Sequence, residues 1–181
     1  MILSDSELVE MLREPRTRRE GFAVLVKQYS EKLYWKVRRI VLSHEDANDV
    51  LQNVFIKVWS NLQNFQGKSS LSTWLYRIAI NESLDFLRKQ KLADKVSADE
   101  DVSVASRLMS DEYFDGDEVQ ARLQEAVARL PEVQRTVFNL KYFEEMKYSE
   151  MSQILNTSEG ALKASYHLAV KKITEYLHSF D

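Results

Sequence analysis

The chain has 181 residues, with 25 Lys and Arg against 28 Asp and Glu, four Gly, two Pro and no Cys. That length leaves room for one medium or two small domains, and the absence of Cys excludes disulfides and thiolate metal sites and fits a reducing compartment. No apolar run approaches membrane-spanning length and the start, MILSDSELVEML, does not read as a signal peptide, so a soluble cytoplasmic protein is expected. The formal net charge of −3 is unevenly spread. Residues 1–90 carry 14 Lys and Arg against 11 acids, residues 91–118 carry 3 against 9, and residues 119–181 carry 8 against 8. Nucleic-acid affinity grows with the number of phosphates neutralised, so tight unaided binding to DNA is not expected; a partner would have to contribute.

The few Gly and Pro fit a helical chain with short connections. Ser4 and Glu7 stand at capping-box spacing ahead of a short helix to Leu12. The basic run EPRTRR at 14–19 reads as a solvated turn. A long helix follows from Phe22 to Val41, with Phe22, Leu25, Val26, Tyr29, Leu33, Val37, Ile40 and Val41 on one face. Arg38 and Arg39 lie near its end, where cations favour the helix dipole.

Between Asp46 and Lys89 the spacing predicts two helices joined by a polar turn. In the first, Val50, Val54, Val58 and Leu62 recur every four residues beside Ala47, Leu51 and Phe55. Its other face carries Asp46, Asp49, Gln52, Asn53 and Lys57, polar groups suited to hydrogen-bonding a partner. Gly67 breaks the pattern, and Ser69, Ser70 and Ser72 supply caps for the second helix. There Leu71, Trp74, Leu75, Ile78, Ala79 and Phe86 share one face while Tyr76, Ile80, Leu84 and Leu87 occupy much of the other, so this helix is expected to be buried on two sides. The remaining strip is Thr73, Arg77, Asn81 and Arg88. Cations beside rings, behind a polar turn holding Phe65, Lys68 and Ser69, suit single-stranded nucleic acid: charge for phosphate, rings for stacking. Tryptophans that simply pack in a core, the commoner fate of aromatics on an amphipathic helix, satisfy the same spacing. The residues alone leave both readings open.

From Lys91 to Glu118 the periodicity fades and acids run throughout, as in a solvated tether. A second helical domain is expected from Val119. Leu123, Val127 and Leu130 mark one helix, and Pro131 opens the next, with Val133, Val137, Phe138 and Leu140 as its apolar face. The segment from Tyr148 has the layout of a helix-turn-helix. Met151, Ile154 and Leu155 face inward, Asn156 ends the first helix in a left-handed conformation, and Ser158 caps the second. Leu162, Tyr166, Ala169, Val170, Ile173 and Leu177 form the core stripe of that second helix, while Gly160, Lys163, Ala164, His167 and Lys171 face outward. Small residues there permit close approach to a groove, and Lys and His can meet phosphates or base edges. His44, His167 and His178 are scattered without metal-ligand spacing. No Gly-rich phosphate cradle or nucleophile–base pairing is marked. No metal, cofactor or catalysis is expected.

DANDVLQNVFIKVW followed by STWLYRIAINESLDFLRK closely resembles region 2 of the extracytoplasmic-function (group IV) sigma factors of bacterial RNA polymerase, in the sigma-70 superfamily. LPEVQRTVFNLKYFEEMKYSEMSQILNTSEGALKASYHLAVKKI is similar to region 4 of the same family, in the correct order and spacing. The resemblance implies an all-α protein of two small domains: a region 2 helical bundle over 1–90 and a region 4 helix-turn-helix over 119–181, joined by a flexible acidic linker over 91–118. It implies docking on core RNA polymerase through Asp46, Asp49, Gln52 and Asn53. It implies capture of the melted −10 element by Phe65, Lys68, Ser69, Trp74, Arg77, Asn81 and Arg88, and reading of the −35 element by Gly160, Lys163, Ala164, His167 and Lys171. The linkers of this family thread polymerase channels, where an acidic segment would mimic a nucleic-acid backbone, and an anti-sigma factor is an implied partner. Two departures stand out. Asn53 replaces the acid usual after Gln52, and Ser165, Leu168 and Val170 stand where relatives often carry Arg, so no promoter sequence is implied. A stand-alone helix-turn-helix regulator and a helical adaptor that never touches DNA are the competing readings.

Overall fold

The computed structural model describes residues 2–93 and 116–180. Most of the acidic stretch, and with it the reading of that stretch as tether or nucleic-acid mimic, lies outside the described residues. Among the described residues every element is helical, and none of the helices is long and apolar enough to cross a membrane. The elements fall into two compact units.

The first unit holds α1 (Asp5–Arg13), α2 (Arg18–Val41), α3 (His44–Asn61), a single 3₁₀ turn (Leu62–Asn64) and α4 (Leu71–Ala93). The expected capping box opens α1: Glu7 N–H donates to Ser4 Oγ and Ser4 N–H to Glu7 Oε2, at 3.3 and 2.8 Å. Its far end is closed by residues of the basic turn. Arg18 Nε donates to Leu12 O at 3.0 Å and Thr17 Oγ1 to Met11 O at 2.9 Å, satisfying carbonyls that the helix leaves without partners. The turn is therefore not merely solvated, and α2 starts at Arg18 rather than Phe22. Gly21 explains the close approach of α1 and α2: a Cβ there would lie 2.8 Å from Met11 Cβ.

The core of this unit joins Leu25, Leu33 and Val37 of α2 to Ala47, Val50, Val54 and Val58 of α3 and Leu71, Leu75, Ala79 and Ile80 of α4, all 2 % exposed or less. Helix α4 packs on α1, α2 and α3, as a helix apolar on two sides must. Arg38, in the last turn of α2 as expected, is only 4 % exposed. Burial also holds the Arg39 guanidinium below its usual pKa. The α2–α3 corner turns on Leu42, a non-glycine residue at φ 70°. Ser43 N–H donates across it to Val41 O at 3.0 Å, and Ser43 Oγ then caps α3 by accepting from Asp46 N–H.

The second unit holds α5 (Glu118–Ala128), α6 (Glu132–Phe138), a π-turn (Asn139–Phe143), α7 (Tyr148–Leu155) and α8 (Glu159–His178). Asp117 caps α5, accepting from Gln120 N–H at 2.9 Å. Ala126, Val127, Leu130 and Phe138 pack against Ala169 and Ile173 of α8, with Leu123, Phe143, Tyr166, Tyr176 and Leu177 around them. Two residues assigned to the core by spacing are not in it. Val133 is 63 % exposed and Val170 38 %. Val133 sits in the first turn of a seven-residue helix, outside the apolar cluster, and Val170 lies one position off the stripe through Leu162, Ala169 and Ile173. Pro131 takes the cap position rather than the first helical one.

The two classes of site separate on mutation. Leu75→Ala, at a fully buried position, is expected to cost about 2–5 kcal/mol, whereas Val133→Ala should stay within about 0.5 kcal/mol of the parent; urea unfolding of both variants checks this.

Candidate nucleic-acid interface

The approach to α4 is built by local hydrogen bonds. After the 3₁₀ turn, Phe65 is extended and Gly67 takes φ 70°, a left-handed conformation that a side chain would strain. Of the three candidate serines it is Ser70 that caps α4: its Oγ accepts from Thr73 N–H at 3.2 Å and its carbonyl from Trp74 N–H at 3.1 Å. Asp5, at the start of α1, accepts from Ser72 N–H at 3.4 Å and from the Tyr29 hydroxyl. One carboxylate thus ties α1, α2 and the first turn of α4 together.

At 100° per residue, the buried positions of α4 run from Leu71 through Leu75, Ala79, Ser83, Leu87 and Ile80 to Leu84, about 220° of the circumference. The arc left over carries Trp74, Arg77, Asn81 and Arg88. Trp74 is half-buried and lies on this open strip rather than in the core, with its ring 5.1 Å from that of Phe65. Lys68 is exposed and Ser69 half-buried in the same loop. Phe65, Lys68, Ser69 and Trp74 are therefore brought together. Arg77 is half-buried and Asn81 exposed, on successive turns. Arg88 stands about 10 Å further along the axis and pairs with Asp85 at 2.7 Å. That pair is exposed, so it contributes little to stability and leaves the cation exchangeable toward phosphate. Lys57 of α3 pairs with Glu82 of α4, which raises its pKa.

On α3, Asp49, Gln52 and Asn53 are exposed and Asp46 half-buried. The structure extends this face with two residues the sequence reading left out, Ile56 and Trp59, 63 % and 40 % exposed. Trp59 packs edge-on to Phe22 at 5.0 Å. Positions 49, 52, 53 and 56 follow one helical stripe, and that spacing was the available signal.

In the second unit Asn156 is left-handed (φ 50°, ψ 47°) and Ser158 Oγ accepts from Ala161 N–H at 3.2 Å, the expected turn between α7 and α8. Gly160, Lys163, Ala164, His167 and Lys171 are all exposed, and nothing lies within 4 Å of a Cβ built at Gly160. Lys163 Nζ sits 5.6 Å over the Tyr148 ring, which Lys141 flanks at 4.7 Å. Lys171 is 3.9 Å from Glu175. Leu168 and Val170 are exposed beside these basic groups.

Two family profiles match the chain in this order: Sigma-70 region 2 over residues 25–93 and Sigma-70 region 4 over residues 120–173. The extracytoplasmic-function RNA polymerase sigma factor SigW of Bacillus subtilis is 32% identical over 157 residues, covering 82% of this chain and 84% of SigW. The chain belongs to the extracytoplasmic-function sigma factors. The RNA polymerase sigma-H factor of Pseudomonas aeruginosa is 30% identical across 96% of this chain and 93% of its own. In fold the chain is similar to the sigma factor RpoE of Bartonella quintana, solved with the anti-sigma factor NepR, at a TM-score of 0.69 and 20% identity over 88% of this chain and 98% of that one. It is also similar to CnrH, solved with the cytosolic domain of CnrY, at 0.63 and 20% over 98% and 96%. Its function is that of a sigma factor in promoter recognition and transcription initiation.

Behind the open strip, Lys36 Nζ lies 4.0 Å over the Tyr76 ring. Burial, then the neighbouring Arg39 and Lys32 charges, push its pKa down from 10.5 to about 8. Unfolding therefore takes up a proton between about pH 8 and 10.5, and stability rises with pH across that window. Burial raises the Tyr29 and Tyr76 phenols above 10, so they oppose this rise only at higher pH. Between pH 8 and 9.5 the urea midpoint of the parent is expected to climb, and that of Lys36→Met to stay flat.

Proposed function

We propose that the two units divide promoter recognition between melted and duplex DNA. Residues 1–90 dock on core RNA polymerase and capture the melted −10 element, residues 119–181 read the −35 element as duplex, and residues 91–118 link them. The observation that carries this reading is the open strip of α4, where Trp74, Arg77, Asn81 and Arg88 lie in line behind the Phe65–Ser70 loop. Rings for stacking and donors for phosphate in one groove are what single-strand capture uses, and the small, exposed start of α8 suits entry into a major groove. The chain acts by binding, not by catalysis, and works in the cytoplasm, where its polymerase is.

Docking is assigned to the α3 face of Asp46, Asp49, Gln52 and Asn53, continued by Ile56 and Trp59. Carboxylate acceptors and amides around an exposed aliphatic and an aromatic residue suit a protein interface better than a solvated helix face. An anti-sigma factor is proposed as a further partner. The NepR complex of the similarly folded RpoE supports it, because a face that must be free for polymerase is one an inhibitor can cover.

Asp49→Ala combined with Gln52→Ala is expected to leave stability within about 1 kcal/mol and to weaken binding to core polymerase in a fluorescence titration. Unchanged affinity would remove this face from the docking surface.

In vitro transcription with core polymerase on a promoter library tests the function as a whole, and permanganate footprinting beside filter binding tests the division. Losing a stacked base or a bidentate base contact costs about 1–3 kcal/mol. Arg77→Ala with Asn81→Ala should leave closed complexes formed and block opening, with partial rescue on a pre-melted template. Lys163→Ala with His167→Ala should weaken initial promoter binding, without such rescue. The same defect at the same step in both variants would overturn the division.

A further inference from the structure

The Sigma-70 region 2 profile begins at residue 25, so α1 and the basic turn after it stand outside the matched segment. Their placement is specific. The Asp5 contacts with Ser72 and Tyr29 anchor the start of α1 at the first turn of α4. At the other end of α1, Arg13 Nη2 comes within 3.5 Å of where a Cβ on Gly67 would lie. Helix α1 therefore runs alongside the Phe65–Ser70 loop, and its last side chain reaches over the glycine at the loop's tip. Arg13 is exposed, and among the described residues its guanidinium makes no hydrogen bond or ion pair. The end of α1 from which it extends is fixed by Arg18, which bonds Leu12 O and Arg13 O. Arg16, Arg19 and Lys68 are likewise exposed and unpaired among the described residues, with Glu14 and Glu20 the acids of the same turn.

We infer that Arg13 is a phosphate-binding residue for the single strand held by the Phe65–Ser70 loop, extending that site onto α1. The inference rests on the reading of the loop and α4 as the single-strand site. An unengaged guanidinium has five donors in a planar fork that matches phosphate oxygens. Gly67 has no side chain to keep a backbone phosphate from reaching it. The Phe65 and Trp74 rings stand together at the same loop, 5.1 Å apart. A strand with its bases stacked on those rings turns its phosphates away from them, and the Arg13 guanidinium beside Gly67 is a cation placed to meet one. The contact carries no base preference; it fixes the path of the strand across the loop.

The test uses the holoenzyme and a fluorescein-labelled promoter recovered from the library, as full duplex and with the −10 region pre-melted by mismatches. One lost single-strand phosphate contact lowers the slope of log affinity against log salt by about 0.7, or about fivefold in affinity at 0.1 M salt. With the duplex held as closed complexes at low temperature, Arg13→Ala is expected to show that loss on the pre-melted promoter only, and Arg13→Lys to restore most of it. Equal affinity and slope for Arg13→Ala and the parent would overturn the inference. So would equal losses on duplex and pre-melted DNA, or a loss that follows a lowered Tm and is not restored by Lys. Asn81→Ala separates the two levels of argument. If it weakens pre-melted binding while Arg13→Ala does not, the inference fails alone; if Asn81→Ala also has no effect, the reading of the loop and α4 as the site fails with it.

Discussion

The front unit depends on how much of α4 is buried. A helix packed on one neighbour hides a narrow stripe and leaves the rest free. Helix α4 packs on three and hides about 220° of its surface, so only one strip remains for a ligand. Core and site are therefore complementary arcs of the same helix, and the position of either fixes the other. A residue moved across that boundary would change stability and binding together, whereas the exposed faces of α3 and α8 can vary without touching their cores.

This geometry also settles the electrostatic difficulty of an acidic chain that handles DNA. The cations that matter are few and placed. Lys57 and Arg88 are paired with Glu82 and Asp85, while Arg38 and Arg39 are spent on the interior. Counting them as free charge would overstate the surface. In the proposed division of promoter recognition, what is left would position DNA more than attract it.

Much of this was legible in the sequence. The two-sided apolar pattern of α4, the stripe of valines on α3, and the caps at Ser4, Asn156 and Ser158 follow from local rules, and the structure has them. The candidate site residues could be picked by type and spacing, but the contacts they make could not. That Arg88 pairs with Asp85 is a matter of rotamers. That Trp74 faces the strip rather than the core depends on which of its two neighbouring arcs meets α2 and α3, and periodicity cannot rank two arcs of similar hydrophobicity. The burial of Arg38 was not legible, because which neighbouring helix covers a helix end is not a local property. Val133 was misplaced: it has the right spacing, but its helix starts too late for the core to reach it. Arg18 and Asp5 act across 6 and 67 positions of chain, and no local rule pairs them.

The corner between α2 and α3 has a mechanical consequence. Leucine at φ 70° has few neighbouring conformations, since the Cβ closes most of the left-handed region that glycine would leave open. The bend at Leu42 is thus a stiff joint, and the short hydrogen bond from Ser43 to Val41 allows it little play. Force applied to the exposed face of α3 by any protein that grips it passes through this joint into α2, and from α2 into the helix that carries the strip. Since α3 also packs directly on α4, a displacement of one face is passed to the other.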